Sequence, residues 1–151
     1  MKIELQNKLF EKYPRLFRQQ TLPMQETCMC WGIECGDGWY DLIDNACHLI
    51  QSHCTWRINH AQYLKEKDGT DFNESDLQCE FQQVKEKWGS LRIYHNGDEF
   101  VDGVIEMALR MSENTCIQCG SNHNVTFTKG WVVPLCEVCH QLDQSKMKNE
   151  I

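Results

Sequence analysis

Cys116-Ile-Gln-Cys119-Gly120 is followed, after sixteen intervening residues, by Cys136-Glu-Val-Cys139. Each Cys-x-x-Cys turns the chain tightly enough for both sulfurs to reach one ion at about 2.3 Å, and two such pairs can close a tetrahedron around zinc. Gly120 suits the knuckle, because the chain must fold back on itself there. A redox dithiol would need only one Cys-x-x-Cys beside a βαβ pattern, and a pair of disulfides would need an oxidising compartment. The spacing therefore predicts one structural Zn2+ held by Cys116, Cys119, Cys136 and Cys139. Four thiolates leave no open position for water or substrate, so such an ion holds a fold and performs no hydrolysis. Zinc binding contributes about 10–16 kcal/mol in small zinc peptides, enough to order a module too short for a core of its own.

The elements that must position these sulfurs can be read from pattern. Val125-Thr-Phe-Thr128 and Trp131-Val-Val133 are β-branched and aromatic runs joined by Lys129-Gly130, the composition of a hairpin between the two knuckles. Upstream, Val101, Val104, Ile105, Ala108 and Leu109 form an amphipathic stripe, opened by Asp98 as a cap, that leads straight into Cys116. Gly103 weakens that helix by up to ~1 kcal/mol relative to alanine, which predicts close packing against a neighbour at that point. A longer stripe runs from Trp39 through Leu42, Ile43, Ala46, Leu49, Ile50, Cys54 and Ile58 to Leu64 and ends before Asp68-Gly69, with Asp37 placed as its N-cap. Leu5, Leu9, Phe10 and Tyr13 predict an N-terminal helix over 3–13, closed by Pro14. Cys79–Val84 and Leu91–His95 read as strands of a β-hairpin turning at Trp88-Gly89-Ser90.

The resulting expectation is an α+β fold: two amphipathic helices with a short antiparallel hairpin, plus a C-terminal four-cysteine zinc ribbon. Residues 1–111 form the core domain, and residues 112–151 form the ribbon, rigidly attached to the preceding helix. A chain of 151 residues with 41% hydrophobic side chains can bury such a core. No apolar run approaches the roughly 20 residues of a membrane span, and the charged, alternating N-terminus lacks the apolar centre of a secretion signal. A cytoplasmic protein with reduced thiols is expected. The formal net charge of −7, from 22 acidic and 15 basic side chains, repels a phosphate backbone at long range and disfavours general nucleic-acid binding.

Cys28, Cys30, Cys35, Cys47 and Cys54, with His48 and His53, match no common ligand spacing. Burial as small hydrophobes is their plainer reading, and a second metal is left open. Asp37, Asp41 and Asp44, with Glu34, could be imagined as a magnesium cluster. Carboxylates in the first turns of a helix are ordinary, however, and no histidine or lysine is spaced to complete an acid–base pair. Lys85, Lys87, Trp88, Arg92 and Tyr94 concentrate positive and aromatic side chains on the hairpin of an otherwise acidic chain. Such a patch can bind a partner, against the alternative of an edge protected by lysines.

Lys12-Tyr-Pro14, the run from Trp31-Gly-Ile-Glu-Cys-Gly-Asp-Gly-Trp-Tyr-Asp-Leu to Ile43, Val84-Lys-Glu-Lys-Trp-Gly-Ser-Leu-Arg-Ile-Tyr94 and the closing cysteine knuckles together resemble a group of small zinc-ribbon proteins encoded by bacteriophages and prophages. The resemblance covers nearly the full chain. It implies a phage accessory protein in a bacterial cytoplasm, of the kind that binds a host protein and inhibits a host or defence enzyme. The acidic balance favours a partner with a basic surface. Two other classes are carried forward: a nucleic-acid-binding ribbon in phage replication or transcription, and a metal-dependent hydrolase.

Overall fold

The computed structural model describes residues 1–149. The last two positions of the expected C-terminal module, Glu150 and Ile151, lie outside the described residues. The chain is a mixture of helix and small sheets. Helix α1 is Ile3–Lys12, α2 is Tyr40–Asp68, α3 is Glu99–Ser112 and α4 is Glu137–Asn149. Strand β1 is Ile33–Glu34, β2 Phe81–Lys87, β3 Ser90–His95, β4 Val125–Phe127 and β5 Pro134–Cys136. No helix among the described residues is long and apolar enough to cross a membrane.

The first sheet has the order β1-β2-β3. β2 and β3 form the expected antiparallel hairpin, with Val84 opposite Ile93 and Lys85 opposite Arg92. β1 adds a parallel edge, pairing Ile33 with Val84 and Glu34 with Lys85. Two residues carry too little pattern to announce a strand, so this edge was not legible in the sequence. The hairpin turn is the two-residue Trp88-Gly89 with φ of 57° and 78°, the left-handed pair of a type I′ turn.

The core lies between this sheet and the two long helices. Ile43, Ala46, Cys47, Ile50 and Cys54 of α2 are buried, as are Val101, Val104 and Ala108 of α3, against Phe81, Val84, Leu91 and Ile93 of the sheet. Leu9, Phe10 and Tyr13 close one side, and Phe17 packs between Phe10, whose ring is tilted to it, and Phe81, which it meets edge to face. Beyond Cys54 the stripe on α2 is only half-buried, at Ile58 and Leu64, while Trp56 and Tyr63 on the other faces are exposed, and the helix continues to a left-handed Gly69. Apolar spacing persists there with partial cover.

Two local expectations are corrected. Asp37 does not cap α2. It lies in a short 3-10 turn, Asp37–Trp39, ahead of the helix, and its carboxylate accepts from the Lys2 backbone N–H at 2.7 Å and pairs with the Lys2 ammonium. Gly103 is not forced by a neighbour either, because a Cβ built there meets nothing within 4 Å.

The C-terminal segment also departs in detail. β4 pairs with Pro134–Cys136, not with Trp131–Val133. Thr128 and Val133 close the connecting loop through the Thr128 N–H to Val133 O (3.0 Å) and the Val133 N–H to Thr128 Oγ1 (3.0 Å). This leaves Trp131 in the turn, 80% exposed. β-Branched composition pointed to the wrong half of the run; what decides the register is that Cys136 must end the strand beside Val125. Helix α4 then starts at once.

Candidate metal centre and the surfaces around it

Cys116 and Cys119 sit on a turn directly after α3, Cys136 is the last residue of β5, and Cys139 lies in the first turn of α4. Their four Sγ atoms all fall within 4.8 Å of one another, and Cys119 and Cys136 are 3.6 Å apart. A tetrahedron with metal–sulfur bonds of about 2.3 Å has edges of about 3.8 Å, so the spread suits one ion. Among the described residues this is the one group of three or more ligand-type side chains brought within such reach. Three of the four residues are buried and Cys119 is exposed. The first knuckle is closed by its own backbone: the Gly120 N–H donates to Cys116 O at 2.9 Å and the Cys116 N–H to Ser121 O at 2.7 Å. Ile117 N–H donates to Pro134 O at 2.9 Å and ties that knuckle to the strand carrying the other.

The electrostatics fit a cation. Burial raises the Cys116 thiol, but backbone N–H groups of Cys136, Cys119 and Gln118 overcome it and bring this thiol down to about 7. Burial and the neighbouring thiols push Cys139 the other way, well above its ordinary value. Four sulfurs this close cannot all ionise against one another, and a divalent ion removes that conflict.

The knuckle is joined to the core by a backbone seam. A Cβ on Gly36 would lie 2.1 Å from Ile117 O, and one on Gly38 would lie 2.2 Å from Cys116 O and 2.5 Å from the Gly120 nitrogen. The Gly38 N–H donates to Ile117 O at 2.9 Å, and the fully buried Trp39 donates its indole N–H to Thr115 O at 2.9 Å. The run Cys35-Gly36-Asp37-Gly38-Trp39, read from sequence as a helix start, is therefore the seat of the first cysteine knuckle. Close approach of two backbones was the signal those two glycines carried.

The remaining cysteines divide without converging. Cys35, Cys47, Cys54 and Cys79 are buried in the core, Cys30 is half-buried and Cys28 is exposed. Burial raises the thiols of Cys35 and Cys79 to about 12, so both are neutral. His53 is engaged elsewhere, with Nε2 2.9 Å from Asp98. The aspartates near the start of α2 do not converge either: Asp37 pairs with Lys2 and Asp44 with Lys12. Lys12 Nζ meets both Asp44 oxygens at 2.8 Å and Tyr13 donates to Asp44 at 2.9 Å, which pins α1 to α2.

Two surfaces flank the centre. One is a recess of about 550 Å³ between α2 and α3, lined by Leu42, Leu49, Val104, Met107 and Met111, whose end wall is the knuckle at Thr115, Cys119 and Gly120. Its charged lining residues, Asp37 and Asp41, are both acidic. The other is the hairpin patch. Cross-strand pairing brings Lys85 beside Arg92 and Gln83 beside Tyr94, and Lys85 lies over the Tyr94 ring at 5.5 Å. Lys87 and Trp88 continue the same strand to its tip.

Comparison with protein-family models, with curated proteins and with solved structures finds no match.

Proposed function

We propose that the chain is a non-catalytic phage binding module in which Cys116, Cys119, Cys136 and Cys139 hold one zinc ion in a C-terminal ribbon, and that it engages a bacterial host protein through the recess between α2 and α3. The phage setting follows from the sequence resemblance. The zinc supplies cross-linking alone, because four thiolates saturate it. The observation that carries the reading is the recess itself. It is apolar, built partly from Met107 and Met111, which are about half exposed, and walled by the metal knuckle. Methionines adapt to the shape of an occupant. Asp37 is paired with Lys2, which leaves Asp41 as the carboxylate in the lining without an ion pair, and in a chain of net charge −7 this favours a cationic partner. The occupant with both properties is an amphipathic helix with basic flanks, laid between two helices as in helix-in-groove recognition. Occupation of a host enzyme's basic surface in this way would inhibit that enzyme.

The test uses a fluorescent amphipathic peptide of leucine and lysine and the zinc-loaded full chain. Groove docking predicts that Met107→Glu with Met111→Glu weakens binding by tenfold or more. Non-specific attraction predicts the reverse, since two further carboxylates would strengthen it. Unchanged or tighter binding by the double variant sinks the groove reading.

A further inference from the structure

We infer that the tips of the two hairpins form a single-stranded nucleic-acid site, centred on Trp88 and Trp131 and bordered by Lys85, Lys87, Arg92 and Lys129. This goes beyond the protein-binding reading and stands on a separate surface. The two hairpins are distant in sequence but meet in space: a Cβ on Gly89 would lie 2.6 Å from the Phe127 ring. Between them opens a cleft of about 350 Å³ lined by Glu86, Lys87, Trp88, Gly130, Trp131 and Val132. Trp88 is 75% exposed and Trp131 80% exposed. Two indoles on the walls of one open cleft offer stacking faces to a flat ring, and every nucleobase has such a face.

Charge distribution picks the partner. Among the described side chains, six lysines and arginines make no ion pair, and four of them are Lys85, Lys87, Arg92 and Lys129. Most described cations elsewhere are paired, as Lys12 is with Asp44, Arg18 with Glu80 and Arg57 with Asp98. Carboxylates beside the patch are held by neutral donors and pair with none of these four cations: Glu86 accepts the Gly89 N–H at 2.6 Å, Glu113 accepts from Ser90 at 3.0 Å and Glu34 from Gln83 at 3.4 Å. Four of the six unpaired cations thus lie around Trp88 and Trp131, the two most exposed of the chain's tryptophans. Same-face positions on a strand recur about every 6.8 Å. A chain laid along β2 therefore meets the Lys85 and Arg92 pair, then Lys87, then the indoles. Point charges along a track with stacking platforms at its end suit a phosphate backbone with unpaired bases.

Backbone geometry adds an independent sign. Trp88 holds φ of 57°, a region that bulky side chains avoid. An asparagine or glycine would turn this hairpin without strain, so the tryptophan is kept for its exposed ring.

The test titrates the zinc-loaded full chain with fluorescein-labelled oligothymidylate and oligouridylate at low salt, following anisotropy and tryptophan quenching. Binding to either, with Trp88→Ala and Trp131→Ala each weakening it by roughly 5- to 150-fold, is the expected result. The affinity should fall with salt at a log–log slope near about −3, and Lys87→Gln should reduce that slope by about 0.7. Circular dichroism and zinc content verify that each variant folds, and the Met107→Glu, Met111→Glu protein should bind oligonucleotide as the parent does. Absence of binding overturns the proposal. So does equal binding by the tryptophan variants, or preference of the patch for an acidic aromatic peptide over both oligonucleotides.

Discussion

A Cβ on Gly38 would lie 2.2 Å from the carbonyl oxygen of Cys116, so the turn that opens the long helix and the first cysteine knuckle share one backbone seam. The four-cysteine group is thereby built against the core of the protein. Shape at this seam is set by main-chain atoms, which cannot move aside as a flexible side chain would.

The seam predicts an asymmetry among glycines. Gly38→Ala and Gly36→Ala each force a methyl into a carbonyl oxygen and should cost about 3 kcal/mol, with weaker metal binding, in denaturant titrations of the metal-loaded protein. Gly103→Ala meets nothing within 4 Å and should stabilise α3 by about 0.5–1 kcal/mol. Equal effects at Gly38 and Gly103 would remove the seam from the account.

Metal removal should be felt in the core, not only in the knuckles, because the buried Trp39 donates its indole N–H to Thr115 O, one residue before Cys116. At free zinc about 1,000-fold above Kd the ion adds about 4 kcal/mol, so chelation should lower Tm by roughly 10 °C. The fluorescence of Trp39 should shift in the same titration, and cobalt substitution should give thiolate-to-metal charge-transfer bands that Cys119→Ser alters. A chelated chain with unchanged Tm and no bound metal would sink the zinc assignment.

The cysteine spacing was legible because ligand geometry is local: two turns and a hairpin define it whatever surrounds them. The buried face of α2 up to Cys54 and the stripe of α3 were legible for the same reason, since helical period reports a covered face. What the pattern could not reveal depended on partners far along the chain. The Lys2 backbone N–H and ammonium capture the Asp37 carboxylate that local spacing assigned to a helix cap. Two residues, Ile33 and Glu34, become a strand only because β2 lies alongside. The cation–aromatic patch was half visible: Lys85, Lys87, Trp88, Arg92 and Tyr94 stood together in sequence, whereas Lys129 and Trp131 join them only through the packing of Phe127 on Gly89.

Asp98 offers a pH test. Its Oδ1 caps α3 by accepting the Val101 N–H at 3.3 Å, and its Oδ2 accepts from Arg57 at 2.7 Å and lies 2.9 Å from His53. Partial burial favours the neutral acid, but hydrogen bonds from His53 and Val101 and the nearby positive charges hold it below the ordinary carboxylate value. A depressed folded-state value means that this contribution is full above the unfolded pKa of about 3.9 and is lost as pH falls through the folded one. Asp98→Ala should therefore cost about 1–2 kcal/mol near neutral pH and flatten the acid limb of the stability curve. An unaltered acid limb in Asp98→Ala would show that other carboxylates govern it.

Trp88→Asn separates stability from binding at the hairpin tip. The left-handed region costs an ordinary side chain about 1–2 kcal/mol, while asparagine enters it readily and favours type I′ turns. Trp88 is mostly exposed, so removing its ring sacrifices little buried surface. The substitution should leave Tm unchanged or raise it, with a gain of up to about 1 kcal/mol, while oligonucleotide binding falls at least fivefold. A protein destabilised by more than 1 kcal/mol would mean that the indole supports the fold by covering Gly89 and Phe127. The positive φ would then have a structural cause, and the case for a stacking platform at this tip would fail with it.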